Sequence, residues 1–197
     1  MSDVSRDSKR GNHGPTRVGL SLNPYFTTPS GDAMFDIFLT NELVKEPVSE
    51  GAPDSEAVYG RIRIGDYQDT FITSLSFWSR PQYERHWATA LQRIVGGEDR
   101  STLITSFVDP PLNPSPDDFL VWWPLYRGDV VYVQNQLLFF KQLNNFKQLN
   151  NPFASEQPWQ SVRERQVLNP DGSQISTWIT NVQSIRDYLN RRAGLIR

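Results

Sequence analysis

Two histidines, a scatter of acidic pairs and no cysteine are what this chain of 197 residues offers for chemistry. His13 lies in a polar N-terminal stretch, and His86 stands one residue from the apolar stripe of a helix-like segment. Without a second histidine nearby, His86 cannot complete a two-histidine metal site. At the edge of an apolar stripe it reads as a packed or solvated side chain before a catalytic base. Carboxylates gather in three turns: GDYQD (Gly65 to Asp69), GEDR (Gly97 to Arg100) and PDD (Pro116 to Asp118). Paired carboxylates can serve as general acid and base. A small hydrolase using Asp66, Asp117 or Asp129 is therefore an open alternative, although acids in turns more often cap backbone and solvate loops. The chain has no GxxxxGK[ST] phosphate loop, no GxSxG elbow and no HExxH pair. The lack of cysteine excludes disulfides, thiolate metal sites and a cysteine nucleophile. No catalytic set, metal site or cofactor is expected.

What the chain does hold is aromatic surface. Aromatic residues make up 12% of the sequence, and six of them are tryptophan. The densest run is FLVWWPLYRGDVVYVQNQLLF, Phe119 to Phe139. It reads as two strands, Phe119 to Tyr126 and Asp129 to Phe139, around an Arg127-Gly128-Asp129 turn in which glycine would supply positive φ. Alternation along a strand puts Trp122 and Trp123 on opposite faces. One should enter the core, and the other should meet solvent or a partner. Pro124 has no N–H for a ladder, so this strand should be bulged or partly at an edge. The Arg-Gly-Asp tripeptide needs no adhesion role, because a hairpin wants such residues anyway.

The elements that would position these groups fall into two unequal parts. Residues 1–33 are rich in Ser, Gly, Pro and charge, and should form a disordered extension. Residues 34–197 should form one domain. Met34 opens the strand-like MFDIFLT and is also a conceivable alternative start. YGRIRI and DTFITSLSF alternate with period two across Gly65-Asp66, the pattern of a hairpin. Ser79, Pro81 and Gln82 announce a helix, and Tyr83, Trp87, Ala90, Leu91 and Ile94 form its stripe up to Gly96-Gly97. STLITSFV returns to strand. The exact tandem repeat FKQLNN-FKQLNN, Phe140 to Asn151, reads as a tolerant surface loop. SVRERQVL and SQISTWI should flank an Asn169-Pro170-Asp171-Gly172 turn. A last helix should follow, capped by Thr180 and Gln183, with Val182, Ile185 and Leu189 inward. The fold class is α+β: a mainly antiparallel β-sheet with two principal helices packed on it.

Formal net charge is -2, and no apolar run could span a bilayer. No signal peptide's apolar core opens the chain. These features predict a soluble cytoplasmic protein with no direct nucleic-acid or membrane partner. Charge is unevenly placed within the domain. Residues 34–70 hold eight acids against Lys45, Arg61 and Arg63, whereas residues 121–197 hold nine basic against five acidic. The acidic segment is either a solvated loop or a patch that steers a basic partner.

An ordered series of segments carries a family resemblance. MFDI, YGRIRIGDYQDTF, SLSFWSRPQYERHWATAL, LITSFVDPP, WWPLYRGDVVYVQNQLLF and PFASEQPWQSVRERQVLNPDGSQISTW resemble the immunity proteins of bacterial contact-dependent growth inhibition systems over about residues 34–190. The polar extension and the FKQLNN duplication depart from that pattern. The resemblance implies a non-enzymatic cytoplasmic protein that binds the C-terminal toxin domain of a delivered effector, often a nuclease. It assigns no site residues, since contacts vary with the toxin. An unrelated protein-binding adaptor is the other non-enzymatic reading. A nuclease needs a basic groove for phosphates, which carboxylates can occupy. Asp66 and Asp69 flank a hairpin turn and should be held more rigidly than loop acids such as Glu46 or Glu50. They are the expected partner contacts, with an exposed Trp122, Trp123 or Tyr126 as apolar anchor.

Overall fold

A computed structural model describes residues 34–44, 56–109, 115–144, 155–169 and 171–193. The expected disordered extension 1–33, the loop acids Glu46, Glu50 and Asp54, and the whole second FKQLNN copy, Phe146 to Asn151, lie outside the described residues. The architecture is α+β, with two antiparallel sheets. Strands β1 (Phe35–Leu43), β2 (Ala57–Ile64) and β3 (Tyr67–Ser74) form the first, in sequential order. The second holds β4 (Arg100–Ser106), β5 (Phe119–Arg127), β6 (Val131–Gln134) and β8 (Thr177–Thr180) in that order, with β7 (Gln136–Phe139) also on β5. Helices α1 (Arg80–Gly96) and α3 (Val182–Ala193) are the principal helices, and α2 (Phe140–Asn144) is short. Among the described residues no helix is long and apolar enough to cross a membrane.

Helix α1 forms where its stripe predicts, with Tyr83, Trp87, Ala90, Leu91 and Ile94 all fully buried. Its start is held by Gln82, whose Oε1 accepts from the Ser79 backbone N–H and hydroxyl, both at 2.8 Å. Its end turns through Gly97 at φ 111°, a left-handed conformation that glycine adopts without a Cβ clash. Gly65, at φ 60°, makes the β2–β3 turn in the same way. Gly128 does not: it is absent from the positive-φ positions, and its N–H reaches Val130 O at 2.8 Å across the β5–β6 turn.

One edge of each sheet, β4 of the second and β1 of the first, is covered by side chains. At β4, the Ile104 N–H donates to His86 Nε2 at 3.0 Å, and Ile104 O accepts from Trp87 Nε1 at 2.7 Å. The Phe107 N–H meets the Tyr83 hydroxyl at 2.9 Å, and Thr105 O accepts from Thr73 of β3 at 2.6 Å. At β1, α3 supplies the closure. The Tyr188 hydroxyl donates to Ile37 O at 3.0 Å, and Arg191 donates to Phe35 O at 2.9 Å. An edge strand left open is a template for pairing with another chain, and these bonds occupy it.

Four expectations need correction. The strand expected from Asp129 to Phe139 is interrupted at Asn135, although β6 and β7 keep one register on β5 (Leu125 opposite Val133, Trp122 opposite Gln136). Gln134 and Gln136 bond side chain to side chain across the break at 2.8 Å. SVRERQVL is not a strand: Pro158–Ser161 is a 3-10 turn, and only Leu168 bridges to Gln174. Its groups are used to cover the second sheet, as Gln134 Nε2 donating to Gln166 O at 2.7 Å illustrates. The last helix is capped by Asn181 rather than Thr180, with Asn181 Oδ1 accepting from the Ser184 N–H at 2.8 Å. Finally, the first FKQLNN copy is not a loop over its described residues: Phe140–Asn144 build α2, and Phe140 is 1% exposed.

Candidate partner-binding surface

The three aromatic anchors expected at the surface are all interior. Trp122 is 4% exposed, Trp123 0% and Tyr126 8%. Alternation does separate the two tryptophans, but β5 is covered on both faces. On one, Trp123 lies 5.4 Å from Trp178, which stacks at 4.1 Å on Tyr67 of the first sheet. On the other, the irregular stretch after the 3-10 turn lies against the sheet. Arg165 sits 4.0 Å over the ring of Tyr132, which pairs with Tyr126, and Arg100 donates to Val162 O at 3.3 Å. Buried on both sides over most of its length, β5 leaves only Phe119, at its start, exposed among its aromatics.

The two acids come apart as well. Asp66 is exposed at the β2–β3 turn. Asp69 lies in register with Ile62 and so shares the inward face of β3 with Tyr67, Phe71 and Thr73. Its Oδ1 accepts from the Thr70 N–H at 2.8 Å. Burial pushes the Tyr67 phenol up to about 12, and the negative charge and hydrogen bond of Asp69 push it the same way. Asp69 is thus engaged within the fold, and Asp66 alone of the pair is open.

No acid pair assembles from the enzymatic alternative. Asp117 and Asp129 stand beyond opposite ends of the nine-residue β5, which spans roughly 30 Å at the usual strand rise. Asp66 belongs to the other sheet. Among the described residues no three His, Asp or Glu side chains gather to hold a metal ion. His86 is part-buried, and desolvation pushes its pKa down to about 3. It serves as a neutral acceptor for β4 and lines a polar groove of about 430 Å³ with Trp78, Arg85, Glu156 and Trp159.

The lowered His86 pKa sets an acid limit. Unfolded, this imidazole binds its proton near 6.5, whereas the folded one stays neutral down to about 3. Its contribution is complete above pH 6.5 and declines at about 1.4 kcal/mol per pH unit as pH falls toward 3. His86→Gln, which keeps an acceptor but does not titrate, should flatten this part of the stability curve. Urea denaturation of both proteins at pH 7, 6, 5 and 4 measures it, and parallel curves would exclude the mechanism.

The outward face of the first sheet is the open one. Arg61, Arg63, Gln68, Thr70 and Ile72 are exposed, while Ile62 and Ile64 between them are 0% and 3% exposed. Arg192 of α3 reaches onto this face. It pairs with Asp36 at 3.7 Å and stands 5.6 Å over the Phe38 ring.

Known proteins resemble this arrangement. Immunity protein CdiI of Enterobacter cloacae is 29% identical over 156 residues, which covers 79% of this chain and 96% of that protein. A solved CdiA-CT/CdiI toxin and immunity complex from Enterobacter cloacae contains a chain of similar fold, with TM-score 0.61 and 26% identity, covering 82% of this chain and 99% of that one. The model of the CdiI N-terminal domain matches residues 73–188, from the end of β3 into α3. With more than half of its length in that match, the chain belongs to the CdiI N-terminal domain family.

Proposed function

We propose that this protein is an immunity protein, which binds the C-terminal toxin domain of a contact-dependent growth inhibition effector and neutralises it without catalysis. The observation that carries this is the likeness, over 82% of this chain and 99% of that one, to a chain of a toxin and immunity complex, beside the likeness to an immunity protein. The scattered carboxylates and a histidine spent on a backbone N–H favour a binder over the carboxylate hydrolase. The toxin is proposed to be a nuclease, met in the cytoplasm.

The test is co-purification with the C-terminal domain encoded by the gene directly upstream, beside rescue of growth in cells that express that domain. The expected result is a stable complex and full protection. Neither would be seen if the protein were an enzyme or an adaptor for another partner.

Within this reading, Asp66 and Asp69 remain proposed contacts to a basic surface of the toxin. The exposed Asp66 should carry most of the effect. The double change of both acids to lysine should slow association and reduce its salt dependence, and Asp66→Lys alone should reproduce most of that. Wild-type rates for the double variant would remove these acids from the interface and leave the immunity reading standing.

A further inference from the structure

Alternation on β1, β2 and β3 sends Phe35, Ile37, Ile62 and Ile64 into the core, each at most 3% exposed. The opposite positions face outward. Across the strands, Asp36 is opposite Arg63 and Phe38 opposite Arg61. Arg61 is in turn opposite Thr70, and Tyr59 opposite Ile72. This face carries no lysine, and its one glutamate, Glu42, lies at the exposed C-terminal end of β1. Interfaces enrich arginine and aromatics and deplete lysine relative to the rest of a protein surface. Ile72 remains 40% exposed.

Its charge has a definite sign. Arg61, Arg63 and Arg192 stand against two carboxylates, Asp36, which Arg192 already pairs with, and Glu42 beyond the bulge of β1. Among the described residues Arg61 has no hydrogen bond or ion pair, and Arg63 donates only to Gly65 O of its own turn, at 3.3 Å. Two guanidinium groups two residues apart on one strand therefore point outward, Arg61 with its whole donor fork unused and Arg63 with its terminal N–H donors unused. A guanidinium fork matches a carboxylate in two parallel hydrogen bonds. The backbone beneath them is fixed by ladders on both sides, because β2 is the central strand. Fixed donors lose less entropy on binding.

We infer that the outward face of β1–β3 is a docking surface for an acidic element of the toxin domain, with Arg61 and Arg63 receiving its carboxylates and Ile72 and Tyr59 its apolar flank. This rests on the immunity reading. A single-stranded nucleic acid is the less favoured occupant. It would need aromatic rings open for base stacking, whereas Phe38 lies under Arg192 and both Phe38 and Tyr59 are part-buried.

The experiment measures association of the full chain with the purified C-terminal toxin domain from the upstream gene, at low and high salt. Arg61→Glu combined with Arg63→Glu should slow association at least about tenfold at low ionic strength, and the gap should narrow as salt screens it. Arg186→Glu, on the exposed side of α3, should stay within about twofold of wild type. If the double reversal does not fold, Arg61→Gln with Arg63→Gln provides the same comparison without repulsion. Wild-type rates in a folded double variant overturn the inference while the immunity reading stands. A wild-type protein that does not bind the toxin domain overturns both. Binding of a single-stranded oligonucleotide that the double variant loses, with toxin association unchanged, overturns the inference in favour of a nucleic-acid surface.

Discussion

Trp87→Ala should destabilise the protein by about 3–5 kcal/mol, a large part of the stability of an ordinary domain. Trp87 is 0% exposed and centres the stripe of α1. Its ring meets Phe71 edge-on at 6.1 Å and lies 5.9 Å from Tyr83. Alanine leaves a void between the helix and both sheets, and it also strips the edge of β4 of the donor that occupies Ile104 O. The second part can be isolated. Trp87→Phe keeps much of the apolar volume and removes the N–H, so its smaller loss, about 1–3 kcal/mol, reports the unpaired carbonyl together with a modest packing defect. Chemical denaturation of the three proteins measures both. A loss below about 1 kcal/mol for the alanine variant would sink the view that this indole joins helix to strand.

Gly60→Val should cost roughly 1–3 kcal/mol, for a reason opposite to a void. Gly60 sits in the middle of β2, opposite Phe71 on β3, and the Phe71 ring occupies the place where a Cβ would go. The glycine is there to admit the ring, and φ is not the issue, since Gly60 is not among the positive-φ glycines. A side chain at this point displaces the Phe71 ring, which already meets the fully buried Trp87 edge-on. The signature is non-additivity. In a Phe71→Ala background the ring is gone, and Gly60→Ala should then cost much less than it does in the wild type. Equal costs in the two backgrounds would show that Gly60 matters for some other reason.

Both residues belong to parts of the fold that the sequence displays openly. The stripe of α1 repeats often enough to be read without context, and Ser79, Gln82 and Gly97 mark its ends. The β2–β3 hairpin is equally plain from its alternation and Gly65. What could not be read is what covers what. Trp122 looks like a surface residue until the stretch around Val162 to Gln166, some forty residues later, is laid against its sheet. SVRERQVL does not join the ladder: Val162 is buried against the sheet, the residues after it are exposed, and only Leu168 makes a bridge.

The candidate surface was obscured in the same way. A count along residues 34–70 sets Arg61 and Arg63 against eight acids and yields an acidic segment. Folding undoes that count, since Asp36 meets Arg192 from the far end of the chain and Asp69 turns inward. The alternation of YGRIRI does put Tyr59, Arg61 and Arg63 on one face, and that pattern was the legible signal.

The bonds from α3 to β1 give this protein a clock. Tyr188 and Ile37 are 151 positions apart, and Arg191 and Phe35 are 156 apart. At synthesis rates of about 5–20 residues per second, β1 waits roughly 8–30 s for the helix that closes its edge, given the 151-residue separation. For that interval β1, paired with β2 on one side, keeps its other edge uncovered, a surface of the kind that chaperones shield. A cell making this protein therefore holds a standing population of half-finished copies that cannot yet be native. Fresh synthesis replenishes the finished pool only after that delay, so the stock already folded sets how much partner can be met at once.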